Sequence, residues 1–204
     1  MGRAMEFWFD FASTYSYLAS QRIEPLAAVR GVVVDWRPFL LGPLFQRQGW
    51  NDSPYNLNPV RGRYMWRDLE RQCARDAVPF RKPTVFPRRS ILPARVACLG
   101  HGQAWLPPFA RAVFRANFAE DRDIEDRELM LDLLQRSGAA EDGAAARALL
   151  ERATEQSTKD LLRSETERAW SLGLFGAPSF VAAGEIFWGN DRLEEALDWH
   201  VLPG

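Results

Sequence analysis

The opening stretch, Glu6 to Trp36, constrains the fold more than any other part of the chain. Glu6 to Phe11 alternates and is rich in aromatic residues, which suits a pleated strand. Asp10-Phe11-Ala12-Ser13-Thr14 breaks that pattern, and Tyr15 to Val29 then places Tyr17, Leu18, Ile23, Leu26 and Ala27 at helical spacing. Ser13 or Thr14 is the natural N-cap and Gly31 the C-terminal stop. Val32-Val33-Val34-Asp35-Trp36 is a β-branched run that reads as a second strand. Strand, helix and strand within about thirty residues form a βαβ unit, and its crossover helix demands that the two strands run parallel.

The middle of the chain has a different texture. Gly, Pro, Asn and Asp punctuate a loop-rich stretch from Phe39 to Pro59. Helices are predicted over Val60–Asp76, Ser90–Gly100, Pro107–Phe118, Glu125–Ser137, Gly143–Arg152 and Thr154–Ser171, and no strand pattern occurs between Arg37 and Leu172. Phe180 to Trp188 then places apolar residues around a central Ala-Gly turn, a hairpin pattern. A short amphipathic helix with Leu193, Leu197 and Val201 ends the chain, with Asn190 or Asp191 as its cap. The order βαβ, helices, ββα predicts an α/β fold. In it, a thioredoxin-like domain (residues 1–38 and 172–204) is interrupted by a large all-helical insertion domain (39–171).

Composition narrows the function classes. With 26 basic and 27 acidic residues the net charge is −1, a poor match to a protein that coats nucleic acid or an anionic membrane surface. The apolar share of 47% and charged share of 26% are ordinary for a globular protein. No apolar run is long enough to span a bilayer, and MGRAMEFWFDF moves straight into charged residues, so the expectation is a cytoplasmic protein without a signal peptide. Two cysteines (Cys73 and Cys98) and two histidines (His101 and His200) offer neither a disulfide scaffold nor a conventional zinc site.

Three features carry chemistry. Ser13 sits at the first strand-to-helix junction, where backbone N–H groups and the helix dipole favour negative charge. A thioredoxin-like oxidoreductase places CxxC there, and this chain reads Ser13-Thr14-Tyr15-Ser16, which rules out thiol–disulfide exchange by the protein's own sulfurs at that point. What remains is a hydroxyl donor suited to a thiolate brought by a ligand; alone, Ser13 also reads as a plain helix cap. Pro178, in Phe175-Gly176-Ala177-Pro178-Ser179-Phe180, precedes a strand where a thioredoxin-like sheet has a cis-proline, leaving the Ala177 backbone to pair with an extended, peptide-like ligand; alone, it is a turn proline. Gly189-Asn190-Asp191-Arg192 is a polar cluster at a helix start, able to take amino and carboxylate groups or simply to cap the helix.

Taken together, these motifs resemble the 2-hydroxychromene-2-carboxylate isomerase family, relatives of kappa-class glutathione transferases within the DsbA-like thioredoxin superfamily. The resemblance rests on Asp10 to Ala19, Gly173 to Phe180 and Phe187 to Leu193, with Tyr64 to Leu69, Pro79-Phe80 and Phe86-Pro87 in the insertion. It implies glutathione as cofactor, Ser13 as the residue that holds its thiolate, and Ala177 beside a cis Pro178 pairing with the cysteinyl unit. It also implies Asn190 and Asp191 at the γ-glutamyl end, and Asn51 as a contact from the insertion. In such isomerases the thiolate adds to the chromene, the ring opens, a bond rotates and elimination regenerates glutathione. Relatives are commonly dimers, so a homodimer acting on a small aromatic carboxylate is expected.

Departures fall on the substrate side. Thr14 follows the serine where a proline is common, and Gln46 occupies the place of a substrate-contacting lysine, with Arg47 beside it as a cationic replacement. Gly49-Trp50-Asn51-Asp52-Ser53-Pro54 replaces a Gly-Asn-x-Pro-Pro stretch, and Arg89 stands where an asparagine is frequent. Arg47, Trp50 and Arg89 are therefore the expected substrate contacts. A kappa-like transferase using the same site, or a non-catalytic DsbA-like peptide binder lacking CxxC, are the alternatives. Arg63, Arg67, Arg71 and Arg75 recur every fourth residue among acids, the pattern of a salt-bridged helix face. Trp50, Trp66 and Trp105 could line an aromatic pocket, with core packing the default for each. Cys73 and Cys98 read as small buried residues, and His200 as a partner of its helix's last carbonyls.

Overall fold

The computed structural model describes residues 4–202; the first residues of the stretch read for a signal peptide (1–3) and the last two of the expected thioredoxin-like domain (203–204) lie outside them. Strand β1 (Met5–Phe9) is buried along its whole length, which explains why it is nearly continuous in apolar residues. It ends sooner than the predicted Phe11 because Asp10 turns the chain. Helix α1 (Thr14–Val29) starts at Ser13, whose Oγ accepts from the Ser16 N–H. It ends on Gly31, which has φ 66°, with the Val32 N–H bonded back to the Ala27 carbonyl. Strand β2 (Val34–Pro38) starts at Val34 rather than Val32. Parallel pairing with β1 sets Val34 opposite Met5, and Val33 is left exposed before the sheet begins.

The helical stretch comprises α2 (Leu41–Arg47), α3 (Pro54–Leu57), α4 (Pro59–Arg75), α5 (Ile91–Leu99), α6 (Leu106–Phe118), α7 (Arg127–Arg136), α8 (Gly143–Arg152) and α9 (Gln156–Ser171). The loop expected over 39–59 is thus corrected by two short helices. Leu40 gives α2 no side-chain cap; the Asp10 carboxylate accepts from the Leu41 N–H instead, at 2.8 Å. Helix α3 does have a local cap in Ser53, followed by Pro54 at the first turn. The chain then returns to the sheet with β3 (Ser179–Ala182) and β4 (Glu185–Trp188), joined by Ala183 and Gly184 at positive φ as a tight hairpin requires. A short 3₁₀ turn (Asn190–Arg192) leads into α10 (Leu193–Val201).

The sheet order is β2-β1-β3-β4, with β1 parallel to β2 and antiparallel to β3, and β3 antiparallel to β4. This is the expected thioredoxin-like arrangement, with β1 inside the sheet. Alternate β1 side chains feed two faces. Phe7 and Phe9 join Trp36 and Phe180 in one core, which runs on through Phe11 to Phe109 and Phe114 of α6. Trp8 points the other way, to Phe39, Leu44, Ala169 and Leu174. Truncating any of the buried phenylalanines to Ala is expected to cost about 3–5 kcal/mol. Because sheet and helices share this packing, the start of α1 is fixed relative to the helices that face it.

Candidate active site

Sheet register builds the site. Trp8 of β1 pairs with Ser179 of β3, so the residues just before β3 arrive beside the turn that follows β1. Ser13 and Ala177, 164 residues apart in sequence, meet there: Ser13 Oγ donates to the Ala177 carbonyl at 2.9 Å. The Ala177–Pro178 peptide is cis, and the Gly189 N–H bonds to the Pro178 carbonyl at 3.0 Å. Ser13 is 7% exposed. Its hydroxyl therefore both caps α1 and reaches out to the second strand pair.

Ser13 and Ala177 open onto a cavity of about 920 Å³ whose wall includes the aromatic rings of Trp50, Phe86, Phe175 and Trp188. Gly176 lets the Trp188 ring lie close: a Cβ at that position would stand 2.3 Å from the indole nitrogen and push the ring aside. Asn51 and Arg89 also line the cavity, as does Arg61, which sequence reasoning did not single out. Arg88, next to Arg89, is turned inward and held by Asp121 at 2.6 Å and by Asn117 Oδ1 at 3.1 Å. That guanidinium, with help from the Thr84 N–H, holds the Asp121 carboxyl down at about 2.

Asn190 and Asp191 lie in a separate, smaller cleft of about 560 Å³, lined by Arg22, Arg71, Asp76 and Glu194 among others. Asn190 is buried; its Nδ2 donates to Gln72 Oε1 at 2.9 Å and its Oδ1 accepts from Arg22 at 3.3 Å. Asp191 is open to solvent. Tyr15 stands between the two spaces. It lines the cavity while its hydroxyl donates to Asp68 of the cleft at 2.9 Å, and burial together with that carboxylate raises its pKa well above the phenol range.

Some expected contacts lie elsewhere. Arg47 is not on the cavity wall: it pairs with Glu167 and stands 5.2 Å from the Trp170 ring, facing α9. Its neighbours Gln46 and Gln48 do line the cavity, since successive helical residues point about 100° apart. Of the three tryptophans considered, only Trp50 reaches the cavity. Trp66 packs on Phe80 and Phe86, and Trp105 on Phe109. Trp188 takes their place, and its position in the Phe187-Trp188-Gly189 motif was the available hint. The α4 arginines are paired as expected, Arg67 with Glu70, Arg71 with Asp68 and Arg75 with Asp76, while Arg63 is exposed. Cys73 and Cys98 are buried, which pushes both thiols up to about 12. His200 Nδ1 accepts from the Ala183 N–H, so it braces the β3–β4 turn. Among the described residues no helix is long and apolar enough to cross a membrane.

Residues 4–198 match the DSBA-like thioredoxin domain. The chain is also 32% identical to the 2-hydroxychromene-2-carboxylate isomerase of Sphingobium xenophagum over 95% of its own length and 96% of the relative's. The chain belongs to the 2-hydroxychromene-2-carboxylate isomerase family of DSBA-like thioredoxin domains. A solved 2-hydroxychromene-2-carboxylate isomerase superimposes with a TM-score of 0.81 at 26% identity, covering 94% of this chain and 91% of that one. Glutathione S-transferase kappa 1 of Rattus norvegicus is 24% identical over 94% of this chain and 88% of its own. Within this isomerase family, the serine pair Ser13 and Ser16 of the present chain stands at the start of α1, and its two cysteines lie away from it on α4 and α5.

Proposed function

We propose that this protein is a glutathione-dependent isomerase of a 2-hydroxychromene-2-carboxylate-like aromatic acid, with Ser13 stabilising the glutathione thiolate. The observation that supports this most is the Ser13 hydroxyl itself. It is a buried donor at a helix N-terminus, set against Ala177 on the wall of an aromatic cavity, with no protein thiol at its side.

The residues present fit glutathione. Ser13 and the first turn of α1 offer a donor and a positive dipole end for a sulfur anion. The Ala177 backbone beside Pro178 would pair with the cysteinyl unit, and Asn51, which also lines the cavity, would add a contact from the insertion. Asn190, Asp191 and the mixed charges of the adjoining cleft suit the zwitterionic γ-glutamyl end. Bound glutathione would supply a sulfur nucleophile that is released unchanged. The protein's own part is to keep that sulfur ionised through Ser13 and to hold a carboxylate with Arg61 and Arg89. Trp50, Phe175 and Trp188 hold the ring away from water. Arg61 thereby takes the role first expected of Arg47. The proposal includes a cytoplasmic homodimer, which sedimentation equilibrium of the purified protein tests for assembly.

Retention on immobilised glutathione and a rise in melting temperature at millimolar glutathione are the expected results. Absence of both would overturn the reading. The kappa-class relative favours a transferase as the second reading, and product identity decides between the two. Chromene carboxylate should be isomerised with glutathione recovered, whereas a chloro-dinitro aromatic acceptor converted to a conjugate would mark a transferase.

A further inference from the structure

Asp10 is a buried carboxylate that the steps above leave unused. It follows β1 directly and is 4% exposed. Three neutral donors meet it: the Ala12 N–H at 2.8 Å and the Ser90 hydroxyl at 2.7 Å on Oδ1, and the Leu41 N–H at 2.8 Å on Oδ2. Its own carbonyl accepts from the Ser13 N–H at 2.9 Å. Burial pushes its carboxyl up, against the pull of these donors.

Each bond ends on a part of the site. The Ala12 and Ser13 bonds close the turn that presents the Ser13 hydroxyl. Leu41 and Ser90 both line the cavity, at the starts of α2 and α5, and neither helix has a side-chain cap bond at its N-cap. One carboxylate thus stands in for a local cap on α2, grips the residue that begins α5, and fixes the turn between them. No apolar residue of the same size could do this, since the buried Ser90 hydroxyl and the part-buried Ala12 and Leu41 N–H groups would all lose their acceptor.

We propose that Asp10 is a positioning residue: its carboxylate locks the Ser13 turn to both cavity walls, so that the hydroxyl is aimed at the sulfur of bound glutathione. This rests on the reading of Ser13 given above. Asp10→Asn keeps the size and presents an NH₂ group to at least one of these three donors. The bound glutathione thiol, followed by its ultraviolet thiolate absorbance against pH, should then titrate at higher pH. kcat should fall about 10- to 100-fold, the scale of misplacing a reacting group. KM for glutathione should change little, because Asn190 and Asp191 are untouched. Ser90→Ala, which removes one donor and endangers folding less, should move both readouts the same way by a smaller factor, and Ser90→Thr should restore them.

A folded Asp10→Asn protein with the unmutated thiol pKa and kcat would overturn the inference. Should that variant not fold, an unchanged Ser90→Ala would do so. Lack of any bound thiolate in the unmutated protein would instead remove the reading of Ser13, and the inference with it.

Discussion

The two hollows on either side of Tyr15 are built on opposite principles. The larger has many aromatic rings in its wall, with a few arginines and the buried hydroxyls of Ser13, Thr14, Ser53 and Ser90. The smaller is almost wholly charged, with Arg22, Arg71, Asp76 and Glu194 around a buried Asn190. An apolar wall strengthens every charge interaction inside it by excluding water. A mixed-charge cleft open to solvent gains little from any one pair, and selects by pattern instead. On the function proposed above, chemistry belongs to the first and recognition to the second, with Ser13 and Ala177 at the chemical end.

That division can be broken by substitution. Ser13→Ala should have the largest effect, lowering turnover about 10²- to 10³-fold, the scale of losing one aimed donor. Steady-state kinetics with glutathione in excess checks this, and full activity would refute the role. Asn190→Ala should act on the other side, raising KM for glutathione about tenfold with kcat nearly unchanged, as removal of uniform binding does. It also strands Gln72 and Arg22, so urea unfolding should show a loss of about 1–3 kcal/mol.

A third test concerns the brace behind the cavity. The Asp121 carboxyl is held at about 2 by Arg88, below its ordinary 3.8. A lowered carboxyl adds stability that is complete above the ordinary value and is lost as pH falls toward the lowered one. The stability gap between the unmutated protein and Asp121→Asn should therefore be constant above about pH 5 and shrink as pH drops from about 4 to 2. Chemical unfolding at several pH values measures it. The smallest effect belongs to Arg47→Ala. This residue faces Glu167 on the surface, and its loss should change stability by less than about 1 kcal/mol and leave KM for the aromatic substrate unaltered.

The contrast also shows what a sequence can disclose. The βαβ and ββα ends were legible because apolar spacing and caps are local, as at Ser13 and Gly31. Ser13, Ala177 and the Asn190–Asp191 pair were legible as motifs, but their separation into two hollows was not, since only the sheet register and α4 place them. Helix α2 was unreadable for a different reason: its cap is Asp10, from a distant part of the chain. Arg47 was misplaced because adjacency in sequence says nothing of which way a helical side chain faces, and Gln46 and Gln48 flank it on the cavity side. Trp66 and Trp188 are both tryptophans beside family motifs, and only packing tells that one is core and the other wall.

The bond from Ser13 Oγ to the Ala177 carbonyl has one more consequence. On the reading offered here, the hydroxyl proton already has a resting place before any ligand arrives. An amide carbonyl is a moderate acceptor; a neutral thiol is a weaker one and a thiolate a stronger one. Only the ionised sulfur can draw the proton away, so the serine would act as a filter on charge state, idle toward thiols and responsive to their anions.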